Sequence, residues 1–114
     1  MDEVGFQHGL SLFNAGHYFD AHEVWEEVWR AAPAEEKKFL QGLIQISVAF
    51  HHHSRGNTVG ARSLLARAQR NLSSYSDCYA GLNLAALRRE ISACEQALAA
   101  GQSCNFQVKL QIST

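Results

Sequence analysis

The hydrophobic and polar positions of the chain predict a protein built from helices around one central, strongly apolar helix. Between residues 39 and 57, apolar side chains occupy almost every side of a helix, which is typical of a helix buried by its neighbours. One polar stripe interrupts this pattern, formed by Gln41, Gln45, His52 and Arg55 at helical steps of 4, 7 and 3. Because buried polar groups cost stability without hydrogen-bond partners, either other helices or a ligand must satisfy this stripe.

The same periodicity predicts four further helices, with glycine, proline or asparagine at their boundaries. They cover residues 4–15, residues 19–31, a segment from an Asn57 cap to residue 72, and residues 83–100, with Asn83 as the cap. Residues 73–82 are rich in serine and indicate a loop. The tail, residues 102–114, alternates apolar and polar positions with the period of a strand, and we expect it to lie extended over the bundle or to pair with a second subunit. Its apolar positions are Phe106, Val108, Leu110 and Ile112.

The chain also contains an internal repeat with a spacing of 40 residues. The matched positions are Gly16, Ala21, Trp25 and Val28 in the first copy and Gly56, Ala61, Leu65 and Ala68 in the second. This spacing resembles the second helices of tetratricopeptide repeats, although those repeats have a period of about 34 residues and usually need about three copies. We therefore predict a single all-α domain, residues 1–114. Its fold would be a compact antiparallel bundle of about five helices, with two tetratricopeptide-like hairpins, a C-terminal helix and an extended tail.

Composition narrows the classes of function. The 114 residues are 46% hydrophobic and 18% charged, which is ordinary for a soluble globular protein. The formal net charge of -1 argues against nucleic acid as the partner, because phosphate binding requires an excess of basic residues. We expect no membrane segment and no signal peptide. The three cysteines lack zinc-like spacing, so we expect reduced thiols and a cytoplasmic protein.

Candidate chemistry concentrates on the second and third helices. His22, Glu26 and Trp29 lie at i, i+4 and i+7, so they share one side of the second helix. An imidazole and a carboxylate four residues apart can chelate a metal or act as an acid–base pair. If the second and third helices pack antiparallel, His22 and Glu26 can meet Gln45 or His52. The candidate ligand-binding set is His22, Glu23, Glu26, Trp29, Gln45, His52 and Arg55, and the candidate metal ligands within it are His22, Glu26 and His52.

Simpler explanations of these residues remain open. A buried glutamate paired with histidine or arginine often only fixes the register of two helices. Of the three consecutive histidines, spacing places only His52 on the polar stripe, since neighbouring helical residues point about 100° apart and cannot converge on one ion. Arg62, Arg67 and Arg70 form a basic ridge, opposite in sign to the acidic segment 20–36. These two faces either complement each other, inside the fold or between subunits, or the ridge binds an anionic partner.

Two stretches resemble a known family of small helical proteins. They are FNAGHYFDAHEVWEEVWR and FLQGLIQISVAFHHHSRGNTVGARSLLARA, which together cover about residues 13–72. Their pattern resembles that of domain of unknown function 309. The resemblance is most specific at residues 18–30, at residues 42–45, and at His52 with the Arg55-Gly56-Asn57 turn and Gly60-Ala61. It implies a compact helical bundle and brings no established activity.

These observations lead to two main hypotheses of function. The first is a non-enzymatic binding or protein-interaction module, a homodimer or an adaptor for another protein, with no cofactor. The alternative is a small-molecule or metal-dependent enzyme that uses His22, Glu26, Gln45 and His52. Nucleic-acid binding through the arginine ridge is the weakest of the hypotheses, because the chain is nearly neutral.

Overall fold

Five helices and one short hairpin make up the part of the protein that the structure describes. We analysed a computed structural model, which describes residues 1–104 and 109–110. The helices are α1 (Glu3–Asn14), α2 (Tyr18–Arg30), α3 (Ala34–Ser54), α4 (Thr58–Leu72) and α5 (Leu84–Ala99). Between α4 and α5, β1 (Cys78–Tyr79) pairs antiparallel with β2 (Leu82–Asn83). The predicted all-α bundle of five helices is confirmed, and the segment predicted as a loop contains this two-stranded hairpin.

The helix boundaries follow from local residue chemistry. Gly16 and Gly56 lie in the turns that follow α1 and α3. Their φ angles of 87° and 78° are a left-handed conformation that glycine adopts without strain. The predicted caps are also confirmed. Asn57 accepts a hydrogen bond from the Gly60 N–H at 2.9 Å, and Asn83 accepts one from the Ala86 N–H at 3.0 Å. The three connections that join α1 to α4 are therefore short turns that fold each helix back on the previous one.

The helices pack mainly in chain order, so that α3 lies between the α1–α2 hairpin and the α4–α5 pair. Most of the large apolar side chains of α3 are fully buried, while Ile44 and Val48 are half-buried, which confirms the predicted central helix. The apolar positions of the 40-residue repeat are buried in both copies: Ala21, Trp25, Val28, Ala61, Leu65 and Ala68. The two halves of the bundle therefore use equivalent positions to contact the core.

The cysteines differ from the prediction of three reduced thiols. Cys94, on the buried face of α5, forms a disulfide with Cys104, so the prediction is wrong for these two residues. Gly101, with a φ angle of 74°, ends α5 and turns the chain back, and this turn brings Cys104 beside Cys94. The exposed Cys78 lies outside this disulfide. A thiol pair ten residues apart carries no periodic signal, which is why the pattern did not reveal the pairing.

The described part of the tail lies against α1. Leu110 is buried and hydrogen-bonds to Asn14, which confirms that this residue lies over the bundle. The other predicted strand positions, Phe106, Val108 and Ile112, fall outside the described residues. Across residues 1–104, none of the helices combines the length and the apolar character that crossing a bilayer requires.

Candidate functional site

The candidate site is a cleft between α2 and α3, here called the α2–α3 cleft. It has a volume of about 220 Å³ and is lined by Glu26, Trp29, Arg30, Gln41 and Ile44. The first three residues come from the last two turns of α2, and the other two from the second and third turns of α3. Two of the predicted site residues, Glu26 and Trp29, therefore share this cleft with Gln41 of the polar stripe.

His22 and Glu26 form the hydrogen-bonded pair that their spacing predicts. The Nε2 atom of His22 lies 2.9 Å from Oε1 of Glu26, and its Nδ1 atom lies 3.1 Å from the backbone oxygen of Phe19. Both partners are hydrogen-bond acceptors, so a protonated imidazole donates to both of them, whereas a neutral ring donates to only one. The Glu26 side chain is 43% exposed, which leaves the carboxylate accessible from the cleft.

Trp29 forms one wall of the cleft and is fixed by Lys37. The Lys37 ammonium lies 4.2 Å from the centroid of the indole ring and donates a 2.6 Å hydrogen bond to the Trp29 carbonyl. A cation at this distance is attracted by the negative face of the ring. The buried indole N–H of Trp29 has no acceptor among the described residues. Sequence reasoning missed Lys37, because this contact crosses the turn between two helices and leaves no helical spacing.

The other predicted residues point to different partners. The Gln45 carbonyl oxygen accepts a 2.9 Å hydrogen bond from the amide of Asn71 on α4, and His52 lies 3.5 Å from the Asn57 amide through Nδ1. Arg55 is the exposed residue that ends α3. Neither His22 nor Glu26 hydrogen-bonds to Gln45 or His52. The seven candidate residues therefore do not converge on one point.

The α2–α3 cleft is not lined by Glu23 or by the two candidate histidines, His22 and His52. Glu23 lines an adjoining groove between α1 and α2, which shares Glu26 and Arg30 with the cleft and also includes His8 and Leu12. Across residues 1–104 and 109–110, no three histidine, cysteine, aspartate or glutamate side chains are placed to hold a metal ion together. The structure thus brings together His22 and Glu26, but it does not add His52 to them as a third metal ligand.

The exposed ring of Phe19 lies beside one histidine of α2 and one histidine of α3. The Phe19 side chain is 49% exposed, and its ring centroid lies 5.2 Å from that of His22 and 5.3 Å from that of His51. Sequence reasoning did not single out Phe19 or His51 for this role. The only signal was that Phe19 stands at the start of α2 while His51 stands near the end of α3, which antiparallel packing brings together.

Comparison with known proteins shows the family of the chain. Residues 6–64 match the family described as Domain of unknown function (DUF309). The chain is 45% identical over 56 residues to "Uncharacterized protein YpuF" of Bacillus subtilis (strain 168), which covers 48% of this chain and 32% of that protein. It is 34% identical over 77 residues to an "Uncharacterized protein" of Aquifex aeolicus (strain VF5), which covers 67% of this chain and 23% of that protein.

These relatives are therefore much longer than the matched segment, and the chain spans about a third of the first and about a quarter of the second. The matched residues 6–64 include most of α1, all of α2 and α3, and the whole α2–α3 cleft. Since the family match covers more than half of its residues, the chain belongs to the family described as Domain of unknown function (DUF309).

Proposed function

We propose that this chain is a non-enzymatic interaction module that binds a peptide segment of a partner protein in the α2–α3 cleft. The observation that carries this proposal is the size and lining of the cleft. Its volume of about 220 Å³ is smaller than the roughly 300–1,000 Å³ of typical small-molecule sites. A cleft of this size accommodates one apolar side chain of a peptide.

The lining of the cleft suits such a segment. Ile44 and Trp29 provide apolar walls for the anchoring side chain. Gln41 offers both a donor and an acceptor, which a peptide backbone can satisfy. Glu26 and Arg30 place opposite charges at the rim, so we expect a segment without strong net charge.

The context of the matched segment also supports a binding module. In both relatives, the matched residues form only a part of a longer chain, as expected of a unit that serves other domains or partners. The serial packing of the helices suits the predicted tetratricopeptide-like hairpins, which bind peptides in related architectures. A cytoplasmic location remains a proposal, and the Cys94–Cys104 disulfide removes the reduced-thiol argument for it.

The enzyme alternative has less support. It requires His22, Glu26, Gln45 and His52 to act on one substrate, yet Gln45 is held by Asn71 and His52 lies beside Asn57. The remaining His22–Glu26 pair is an acid–base pair without a third positioned group. A pair of this kind serves equally well to hold Glu26 at the rim of the cleft.

Selection from a displayed library of random peptides tests the proposal. We expect the purified chain to enrich peptides that share an apolar anchor residue. Ile44→Glu places a carboxylate in the cleft, so binding of a selected peptide should fall by at least about tenfold, as expected when an anchor pocket is lost. Isothermal titration calorimetry with the synthetic peptide measures this change.

Val4→Glu is the matched control, because Val4 is 82% exposed on α1 and lines neither the α2–α3 cleft nor the neighbouring grooves. This variant should bind the peptide like the unmodified chain. Circular dichroism must show that both variants retain their helical content. A library that yields no enriched sequence, or peptides that bind equally well to Ile44→Glu, would refute the proposed binding site.

A further inference from the structure

A second surface lies between α4 and α5, here called the α4–α5 groove. Two adjoining cavities of about 510 and 710 Å³ share Glu95 and Gln96, so they form one continuous groove. Within the groove, Gln69 links the two helices, because its amide donates 2.9 Å hydrogen bonds to the Arg88 carbonyl and to the Ser92 hydroxyl. These hydrogen bonds fix the position of α4 relative to α5 and so define the shape of the groove.

The walls of the α4–α5 groove are basic. Arg62 and Arg70 of α4 and Arg89 of α5 are exposed along it, and the only acidic residue in its lining is Glu95. These three arginines form no ion pair with any residue in the described part of the chain. Arg88 differs, since its guanidinium donates to Asp77 at 2.6 Å and to two backbone carbonyls. The groove thus carries three arginines without an ion-pair partner among the described residues.

An acidic surface of matching length lies on α2. Asp20, Glu23 and Glu27 are exposed and line the groove between α1 and α2, and we call them the acidic ridge. Asp20 and Glu27 are seven residues apart, about 10 Å along a helix, while Arg62 and Arg70 are eight apart, about 12 Å. Each of the two charged surfaces therefore spans about two helical turns, and within the ridge Glu27 also pairs with Arg30.

The fold keeps these two surfaces apart within one molecule. α3 lies between α2 and α4, and none of the ion pairs among the described residues joins the acidic ridge to an arginine of α4 or α5. Residues 1–36 hold eight of the 11 acidic residues but only one of the 10 basic residues. The net charge of -1 thus comes from two oppositely charged halves, and such a near-zero total gives little long-range repulsion between copies.

We propose that the α4–α5 groove of one copy of this chain binds the acidic ridge of a second copy. A two-fold arrangement makes the contact twice, because each copy then offers its ridge to the groove of the other. Charge complementarity selects this occupant, since every copy carries both surfaces. The contact uses neither Trp29 nor Ile44, although the groove that holds the ridge shares Glu26 and Arg30 with the α2–α3 cleft. The acidic ridge and Arg62 lie within the family match, residues 6–64, whereas Arg70 and Arg89 lie beyond it.

Sedimentation equilibrium of charge-reversed variants tests the contact between the α4–α5 groove and the acidic ridge. R70E/R89E reverses the groove, and E23K/E27K reverses the ridge, all at exposed positions. We expect the unmodified chain to dimerise at low ionic strength and to dissociate as salt rises. Each reversed variant alone should show a dissociation constant at least about tenfold higher. An equimolar mixture of the two variants should restore the dimer, because each reversed surface then meets a complementary one.

The control is K38E/R55E, which changes the net charge as much as R70E/R89E does but alters exposed residues outside both surfaces. It should dimerise like the unmodified chain. Monomer at every concentration in low salt would overturn the proposal, as would a mixture of reversed variants that stays monomeric. Polyglutamate or single-stranded RNA that binds a monomeric chain, and loses this binding in R70E/R89E, would also overturn it by assigning the groove to a different partner.

Discussion

The side-chain amide of Asn14 forms two hydrogen bonds with the backbone of Leu110, 96 positions further along the chain. The Leu110 N–H donates to the Asn14 side-chain oxygen at 2.8 Å, and the Asn14 amide nitrogen donates to the Leu110 carbonyl at 3.2 Å. The neighbouring Lys109 ammonium also donates to the backbone oxygen of Asn14. Asn14 thus pairs with the tail as a strand would, and it holds the buried Leu110 side chain against the end of α1.

We expect Asn14→Ala to release this part of the tail. Two hydrogen bonds are lost, each with a net contribution of about 0.5–1.5 kcal/mol, so the free energy of unfolding should fall by about 1–3 kcal/mol. Urea unfolding measures this change. Trypsin cleavage after Lys109 should become faster, because the backbone beside the cleavage site is no longer held.

Asn14→Asp serves as the comparison for that variant. It retains the oxygen that accepts from the Leu110 N–H and loses the donor to the Leu110 carbonyl, so both effects should be intermediate. Equal cleavage rates after Lys109 in the unmodified chain and in Asn14→Ala would contradict the role assigned to Asn14.

Gly9 allows the closest approach between α1 and α2. A Cβ atom at this position would overlap the indole of Trp25, which is fully buried and donates a 3.2 Å hydrogen bond to the Phe6 carbonyl. In an exposed helix, Gly→Ala is stabilising by about 0.5–1 kcal/mol. For Gly9→Ala we instead expect a loss of about 1–3 kcal/mol, because the added methyl group would overlap this fully buried indole. Thermal or urea unfolding shows directly whether Gly9→Ala stabilises or destabilises the protein.

A double-mutant cycle with Trp25→Phe isolates this clash. The smaller ring leaves room for the added methyl group, so Gly9→Ala should cost less in the Trp25→Phe background than in the unmodified chain. Additive effects of the two substitutions would show that the contact between Gly9 and Trp25 does not limit the packing of α1 on α2.

Most of the helical fold was predictable, because helix formation leaves a local signal. On α5, Leu84, Leu87, Ile91, Cys94 and Leu98 follow the 3-4 spacing of one face, and all five are buried as this spacing predicts. The N-terminal caps of α4 and α5 were equally predictable, since an asparagine side chain accepts from a backbone N–H only three residues away.

The contacts between distant segments left no comparable signal. Tyr75 is an example: its hydroxyl accepts from the Phe39 N–H at 3.0 Å and donates to the Glu35 carbonyl at 2.7 Å, in the first turns of α3. A tyrosine in a serine-rich segment does not reveal such partners, because they depend on how the hairpin folds back over α3. The disulfide and the bonds of Asn14 escaped prediction for the same reason.

The candidate site was predictable to a similar extent. The spacing of His22 and Glu26 predicted their contact, which needs only one turn of helix. The partner of Gln45 could not be read from the sequence, because Asn71 reaches it through the packing of α3 on α4. The sequence showed which side chains share a face of a helix, but not which neighbouring helix that face meets.

The Cys94–Cys104 disulfide is open to a direct chemical test. Iodoacetamide treatment of the unfolded, unreduced chain should give one adduct by mass spectrometry, at Cys78, and three adducts after reduction with a dithiol. The chain-entropy treatment of a ten-residue separation gives a loss of about 2–3 kcal/mol in the free energy of unfolding for Cys104→Ser. Three adducts without reduction would show that the disulfide does not form in solution.

Tyr18 makes the stability of the folded protein depend on pH in the alkaline range. Its ring meets the rings of Phe13 and Phe50 edge-on, at centroid distances of 5.1 and 5.3 Å, and burial raises the pKa of its hydroxyl above the ordinary value of 10.0. Burial also raises the pKa of Tyr79, with further contributions from Tyr75 and the nearby glutamates. The folded state therefore holds both phenol protons to higher pH than the unfolded chain does.

Tyr18→Phe should make the protein less sensitive to alkali. Well below pH 10, both the folded and the unfolded state keep the Tyr18 proton, so the buried neutral phenol contributes fully to stability. As the pH rises towards the raised folded pKa, the unfolded chain loses this proton first, and the free energy of unfolding falls. The stability difference between the unmodified chain and Tyr18→Phe should therefore be constant near pH 8, then shift against the unmodified chain between about pH 9 and 11. Urea unfolding across this range measures the shift, while Tyr79 titrates in both proteins and cancels. A stability difference that does not change with pH would mean that the Tyr18 hydroxyl ionises equally easily in the folded and unfolded states.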